Sequence, residues 1–218
     1  MRIVKPESLH QQAYHIIKSE ILEGVYQPSE RIVEAKAASK LGISRGPVRE
    51  AIRMLIQDGL LVYNDGYVKV YTPTVQDVID LFQCRESLEA LAISLAIHNI
   101  SENEKEKLQE NLIASYQANE KKDIIELGKL DQAFHDIIIY ASKNKQLTEL
   151  LEMIRAKIHY MRSNMVKENF YPTLVEEHER IIDLLFSGDE KGAQEYIRQH
   201  IRKGLDGVLM HIDKSVSK

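Results

Sequence analysis

Asp131 and His135 stand four residues apart, a spacing that sets two side chains one above the other on a single helix face. Leu127, Phe134, Ile138 and Ile139 lie around them in the sequence, so that edge of the helix can be buried. His178 keeps helical register with Leu174, Ile181, Ile182 and Leu185, and His200 with Ala193, Tyr196 and Ile197. A turn at Gly188 separates the two. At about 1.5 Å per helical residue, His178 falls roughly 15 Å before that turn and His200 roughly 18 Å after it, so antiparallel helices bring them to nearly one height. One carboxylate and three imidazoles make a donor set harder than thiolates, suited to a divalent ion such as Zn²⁺, Ni²⁺, Mn²⁺ or Fe²⁺. The lone cysteine, Cys84, can form neither an internal disulfide nor a thiolate zinc knuckle. Taken singly, each of these histidines reads as an ordinary core or surface residue, and His10, His15, His98, His159 and His211 stay in that class.

A second constellation suits a polyanion. Ser44-Arg45-Gly46-Pro47-Val48-Arg49 opens a helical period that continues through Ala51, Ile52, Leu55 and Ile56. Arg45 and Arg49 project from one face of its first turn and a half, where a guanidinium can fork onto guanine O6 and N7 or grip phosphate. Gly46 lets the backbone approach a groove closely, Pro47 is tolerated among first-turn amides, and Ser44 caps the helix and can also donate to a phosphate.

The elements that must position these residues are mostly helical. One amphipathic period runs from Leu9 to Leu22 and stops at Gly24; a second begins at about Ile32 and stops at Gly42; the Ser44 helix is the third. Helix, glycine turn, helix is the helix-turn-helix pattern, whose second helix enters the major groove N-terminus first. Two β-rich runs, Leu60 to Tyr63 and Tyr67 to Tyr71, flank an Asp65-Gly66 turn and form a hairpin, or wing, carrying Lys69. Pro73 ends the strand, so the expected division is a winged helix-turn-helix over residues 1–72 and an all-α bundle of six helices over residues 73–218. Breaks at Asn99-Ile100-Ser101, Lys121-Lys122-Asp123, Lys143-Asn144-Lys145, Tyr171-Pro172 and Ser187-Gly188-Asp189 separate the six.

Bulk composition narrows the classes. The 218-residue chain carries a net charge of −4, which argues against a histone-like mass binder of DNA. That average hides an asymmetry of +2 up to residue 71 and −6 beyond it. Charged residues throughout the first twenty positions, and no run of 18 apolar residues, support neither a signal peptide nor a membrane span. The expected location is therefore the cytoplasm.

From Gly24 to Leu61 the stretch GVYQPSERIVEAKAASKLGISRGPVREAIRMLIQDGLL resembles the GntR family of bacterial transcription regulators. RESLEALAISLA from Arg85, LDQAFHDIII at 130–139, and EEH at 176–178 with His200 further on, resemble the helical FCD ligand domain of the family's FadR-type subgroup, in its shorter, vanillate-regulator-like variety. The resemblance implies that Arg31, Arg45 and Arg49 contact bases or phosphates and that Gly66 forms the wing tip. It further implies that Asp131, His135, His178 and His200 hold a divalent metal ion whose shell is completed by the carboxylate of a small organic acid effector, and that Arg85 helps to hold that carboxylate. The function so implied is that of a DNA-binding transcription regulator, a repressor, acting as a homodimer on a palindromic operator. Ser29 stands where the family commonly has glycine, and Gly46 where many members carry threonine, so the operator sequence does not transfer. Without the resemblance, Arg85 reads as one half of an i,i+4 pair with Glu89 on a solvated face, and Arg31 as a charge at a helix start. A metal-free domain binding a larger ligand such as an acyl-thioester is the alternative. A metalloenzyme is a remote third reading, disfavoured because no extra base and no paired Glu-x-x-His elements accompany the ligands.

Overall fold

The three-dimensional description rests on a computed structural model and covers residues 7–165 and 173–211. In chain order the elements are α1 (Leu9–Leu22), α2 (Glu34–Leu41), α3 (Arg45–Gln57), β1 (Leu61–Asn64), β2 (Tyr67–Val70), α4 (Val75–Asn99), α5 (Glu102–Glu120), α6 (Ile124–Ala141), α7 (Lys145–Met165), α8 (Leu174–Ser187) and α9 (Glu190–His211). The fold is mostly α, an N-terminal helix-turn-helix with a two-stranded wing followed by six helices, as the periodicity indicates. Contacts divide it into two units. Unit 1 runs to Thr74 and also takes Ala156–Met165, the last residues of α7; unit 2 holds Val75–Arg155 and the segment containing α8 and α9.

In unit 1 the apolar faces of α1, α2 and α3 close over one core of Ile17, Ile21, Val48, Ile52, Leu55, Leu60 and Leu61. Tyr160 of α7 is buried in the same core, its hydroxyl donating to the Tyr71 carbonyl. The turn between α2 and α3 is made by Gly42 in the left-handed region at φ 67°, and the Ile43 amide reaches back to the Ala38 carbonyl at 3.1 Å. That bond satisfies an otherwise orphaned helix-end carbonyl, and only glycine adopts the conformation without a Cβ penalty. A methyl group at this position would meet nothing within 4 Å, so Gly42→Ala isolates the backbone term. It is expected to cost about 1 kcal/mol and to lower the melting temperature by about 2–4 °C; an unchanged thermal melt would show that the turn does not hold this geometry.

The wing departs in one respect from the sequence expectation. Asp65 and Gly66 both have positive φ, 52° and 78°, the two-residue turn whose twist matches the flanking strands. Leu61 pairs with Val70 and Asn64 with Tyr67. A third extended segment joins the sheet, because the Ile32 amide donates to Val68 O at 2.9 Å, the Val70 amide to Glu30 O at 2.9 Å, and Arg31 bridges to Lys69. The second helix therefore starts at Glu34 and not at Ile32. The β-branched Ile32 and Val33 fill strand-like positions that an apolar period alone assigns equally well to a helix.

In unit 2, α4 packs along α9 and α6, α5 lies against α6 and α8, and α8 packs on α9. Helix starts are strongly marked: Ser101 and Glu104 form a reciprocal capping box at α5, and Asp123 accepts from the Glu126 amide at 3.0 Å at α6. Small apolar clusters weld the layers, Ala92, Ile139, Leu147 and Leu151 at one place and Ala118, Leu127 and Val175 at another. Gly188, at φ 75°, ends α8 and folds α9 back against it.

Candidate functional site

Three helices of unit 2 converge on one buried polar cluster. Asp131 and His135 come from α6, His178 from α8 and His200 from α9, and one donor atom from each lies within 4.8 Å of all the others. The imidazoles are buried and Asp131 nearly so. His135 Nε2 stands 3.2 Å from His200 Nε2 and 3.6 Å from Asp131 Oδ1, while His178 Nε2 is 3.4 Å from the same oxygen. His178 Nε2 is not aligned as a hydrogen bond to that oxygen and has no other partner among the described residues. Phe134 stacks flat on the His178 ring, centroids 3.8 Å apart at 8°, and fixes its plane.

The outer nitrogens explain the inward ones. His135 Nδ1 lies 2.5 Å from Glu89 Oε2 and His200 Nδ1 lies 2.8 Å from Glu177 Oε2. A carboxylate accepts only, so each Nδ1 is the donor, and the neutral rings must aim bare Nε2 lone pairs at each other. Two lone pairs at that separation repel unless a proton or a cation stands between them. The glutamates are compensated in turn: Arg85 Nε donates to Glu89 Oε1 at 2.6 Å, and Lys203 Nζ and Thr173 Oγ1 donate to Glu177 Oε1 at 2.8 and 2.9 Å.

Charge follows this geometry. Burial would raise the Asp131 carboxyl, yet the neighbouring His135 and His178 imidazoles hold it well below the usual carboxylate range. Burial likewise opposes ionisation of Glu89, but Arg85 and His135 bring it down to about 2. His178 is pushed down to about 4 by burial, and His200 is lowered for the same reason. For His135, burial is outweighed by Glu89, and its value is raised. The donor set thus contains an ionised carboxylate and two neutral imidazoles, with one imidazole that holds a proton in mild acid.

Those features fit a divalent ion. Metal–nitrogen and metal–oxygen bonds of about 2.1 Å place neighbouring ligand atoms about 3.0–3.4 Å apart in octahedral or tetrahedral shells, close to the separations seen here. A cation must displace the proton on His135, whose elevated value means that the proton competes as pH falls. Zinc affinity is therefore expected to drop about tenfold per pH unit below that value and to level off above it. Zinc competition against a chromophoric chelator between about pH 5.5 and 8 checks this, and a flat profile would remove His135 from the shell.

On unit 1 the arginines are arranged unequally. Arg45 is exposed and makes no hydrogen bond or ion pair among the described residues, whereas Arg49 is clamped by Glu34, Nε to both carboxylate oxygens at 3.2 Å and Nη2 to Oε2 at 3.1 Å. Ser44 occupies the N-cap position of α3 but makes no capping bond through its side chain. Gly46 and Pro47 complete the first turn, with open space around Gly46. Arg31 lies in the extended segment beside the wing, its guanidinium 3.5 Å above the Tyr67 ring, and so is not a charge at a helix start. Lys69 pairs with Asp65 at 3.2 Å across the turn tipped by Gly66.

Family comparison bears on both sites. A model of the FCD domain matches residues 80–203, more than half of the chain, and a model of the bacterial regulatory proteins of the gntR family matches residues 9–67. The HTH-type transcriptional regulator YdhC of Bacillus subtilis is 32% identical over 206 residues, covering 91% of this chain and 90% of that one. The chain belongs to the gntR family of bacterial regulatory proteins. This GntR/FCD-type protein is a DNA-binding transcription regulator. It is also similar to the Nta operon transcriptional regulator of Aminobacter aminovorans, 28% identical over 195 residues and covering 88% and 91% of the two chains. The solved structure of E. coli McbR/YncC shares the fold with a TM-score of 0.74 at 23% identity, over 94% of this chain and 99% of that one. Among the described residues of the GntR/FCD chain no helix is long and apolar enough to cross a membrane.

Sequence reasoning missed Glu89 and Glu177 as parts of the site. The Arg85–Glu89 pair exists, but it is buried and not on a solvated face. The signal was available: a single charge, Glu89, inside the largely apolar run from Leu88 to Ala96 and four residues after Arg85, and a carboxylate next to His178 in EEH. Spacing alone does not select among Tyr140, Asn144, Tyr160, Arg162 and Asn164 as pocket residues; the first three bond to Glu152, to the α7 amide of Leu147 and to Tyr71 respectively. Arg162 and Asn164, from the same group, have side chains outside the described residues.

Proposed function

We propose that this regulator is a cytoplasmic repressor, without enzymatic activity, that binds a palindromic operator as a homodimer and is controlled by a small carboxylate effector at a metal centre. Asp131, His135, His178 and His200 hold the divalent ion, zinc, nickel, manganese or iron. The ion supplies a positive, Lewis-acidic centre that accepts a carboxylate oxygen. The observation that carries the reading is the convergence of those four donor atoms within 4.8 Å in a buried site. Arg85 is buried beside them through its bond to Glu89, where a forked cation serves carboxylate recognition better than a lysine would. On the DNA side, Arg45 and Arg49 contact base edges or phosphates from the start of α3, Ser44, Gly46 and Pro47 allow close approach, and Arg31, Lys69 and Gly66 bring the wing to the backbone.

An effector changes operator affinity only by its differential affinity for two arrangements of the protein. The coupling is reciprocal, so operator DNA must change effector affinity by the same factor. The test uses untagged full-length protein: elemental analysis for a bound divalent ion, then titration of an operator selected from random DNA, with and without a panel of small carboxylates. A bound ion and a matched pair of coupling factors are expected. Protein free of metal that responds to an acyl-thioester supports the alternative ligand class, and operator binding indifferent to every carboxylate removes the sensor.

A further inference from the structure

The side chain of Glu89 has one oxygen on a metal-ligand candidate and the other on the candidate effector anchor. Oε2 accepts from His135 Nδ1 at 2.5 Å and Oε1 accepts from Arg85 Nε at 2.6 Å, and all three groups are buried. Glu177 stands in the same relation to His200 at 2.8 Å, but its other oxygen is held by Lys203, a side chain 54% exposed, and by Thr173. The two histidines thus have matching outer partners with different second connections. For His200 the compensating cation faces solvent; for His135 it is the arginine that would receive an anion.

We propose that Glu89 is a positioning residue that joins the two halves of the sensor, turning His135 Nε2 toward the ion while competing with an incoming anion for Arg85. This rests on the metal reading above. The first role follows from the acceptor-only carboxylate, which fixes the imidazole tautomer and orientation and makes it a better ligand. The second follows from charge: a guanidinium already engaged by a carboxylate is a weaker anion receptor than one without a counter-ion. In this arrangement Glu89 strengthens one kind of binding and weakens the other, whereas Glu177 acts on the metal alone.

The experiment compares wild type, Glu89→Gln and Glu177→Gln as full-length untagged proteins, with thermal melts confirming that each is folded. Zinc affinity is measured by chelator competition and acetate affinity of zinc-stripped protein by NMR titration. Both variants are expected to lose about 10- to 100-fold in zinc affinity. Glu89→Gln is expected to bind acetate about threefold more tightly or better, and Glu177→Gln to stay within about twofold of wild type. General loosening of the domain would weaken both ligands together, so a fall in both for Glu89→Gln overturns the proposal, as does unchanged zinc affinity. Should Glu89→Gln not fold, ¹⁵N-histidine NMR of zinc-loaded wild type decides: His135 is expected to bind zinc through Nε2 and keep its Nδ1 proton, and coordination through Nδ1 overturns the proposal. Wild-type protein that takes up no zinc at this site overturns the metal reading and this inference together; zinc uptake with Glu89→Gln unaltered overturns this inference alone.

Discussion

Replacing Arg45 and Arg49 together by alanine is expected to weaken operator binding by roughly 30- to 10⁴-fold, from about 1–3 kcal/mol for each arginine that reads a base edge. The loss will not come from unfolding. Arg45 is exposed, Arg49 has about half its side chain in solvent, and neither belongs to the core that holds α3. Among the described residues the one ion pair lost is the exposed Arg49–Glu34 pair, and surface pairs of this kind contribute about 0–1 kcal/mol. The two arginines are not equivalent. In the proposed DNA contact Arg49 must leave or share the Glu34 carboxylate, whereas the Arg45 side chain has no such partner among the described residues, so Glu34→Gln is expected to raise affinity by about two- to fivefold. A fluorescence-anisotropy titration over a range of salt concentrations separates roles: an arginine on phosphate lowers the salt slope by about one, and an arginine on a base edge relaxes sequence preference. Unchanged affinity and unchanged slope in the double variant would remove α3 as the reading helix.

His178→Ala is expected to strip the metal centre. A four-ligand zinc site contributes about 10–16 kcal/mol, so one ligand carries about 3 kcal/mol and its loss costs roughly a hundredfold or more in affinity. His178 is the most exacting of the three histidines to remove, because its Nε2 has no hydrogen-bond partner among the described residues and its ring stacks on Phe134. The alanine variant also leaves a cavity, so elemental analysis must be read beside a thermal melt. His98→Ala is the control: that imidazole is exposed and pairs with Glu190 at 3.5 Å, and metal content is expected to stay at the wild-type level. Equal metal in both variants would place the ion elsewhere.

Much of the architecture was legible because it is written in local periods. Helices α4, α5, α6 and α8 end where a glycine or the capping residue of the next helix ends the apolar repeat, and Gly42, Gly66 and Gly188 take the left-handed conformations their turns require. Ile32 misled because two β-branched residues beside a helix suit either period, and only pairing with Val68 resolved them as extended. Ser44 was correctly placed at the N-cap, but its residue type could not reveal that the hydroxyl makes no capping bond. The helical period of α7 continues past Arg155 without a breaker, so nothing local reports that its last residues group with unit 1.

By itself the sequence determined which side chains share a helix face, Asp131 with His135 and Arg45 with Arg49, since the rise and twist of a helix convert spacing directly into direction. Only the tertiary structure decided which faces meet. His135 and Glu89 are 46 residues apart and His135 and His200 are 65 apart, and no periodic pattern carries the choice of partner helix. That choice belongs to the packing of α4, α6, α8 and α9, because a buried imidazole or carboxylate is tolerated only where another element brings the group that completes it.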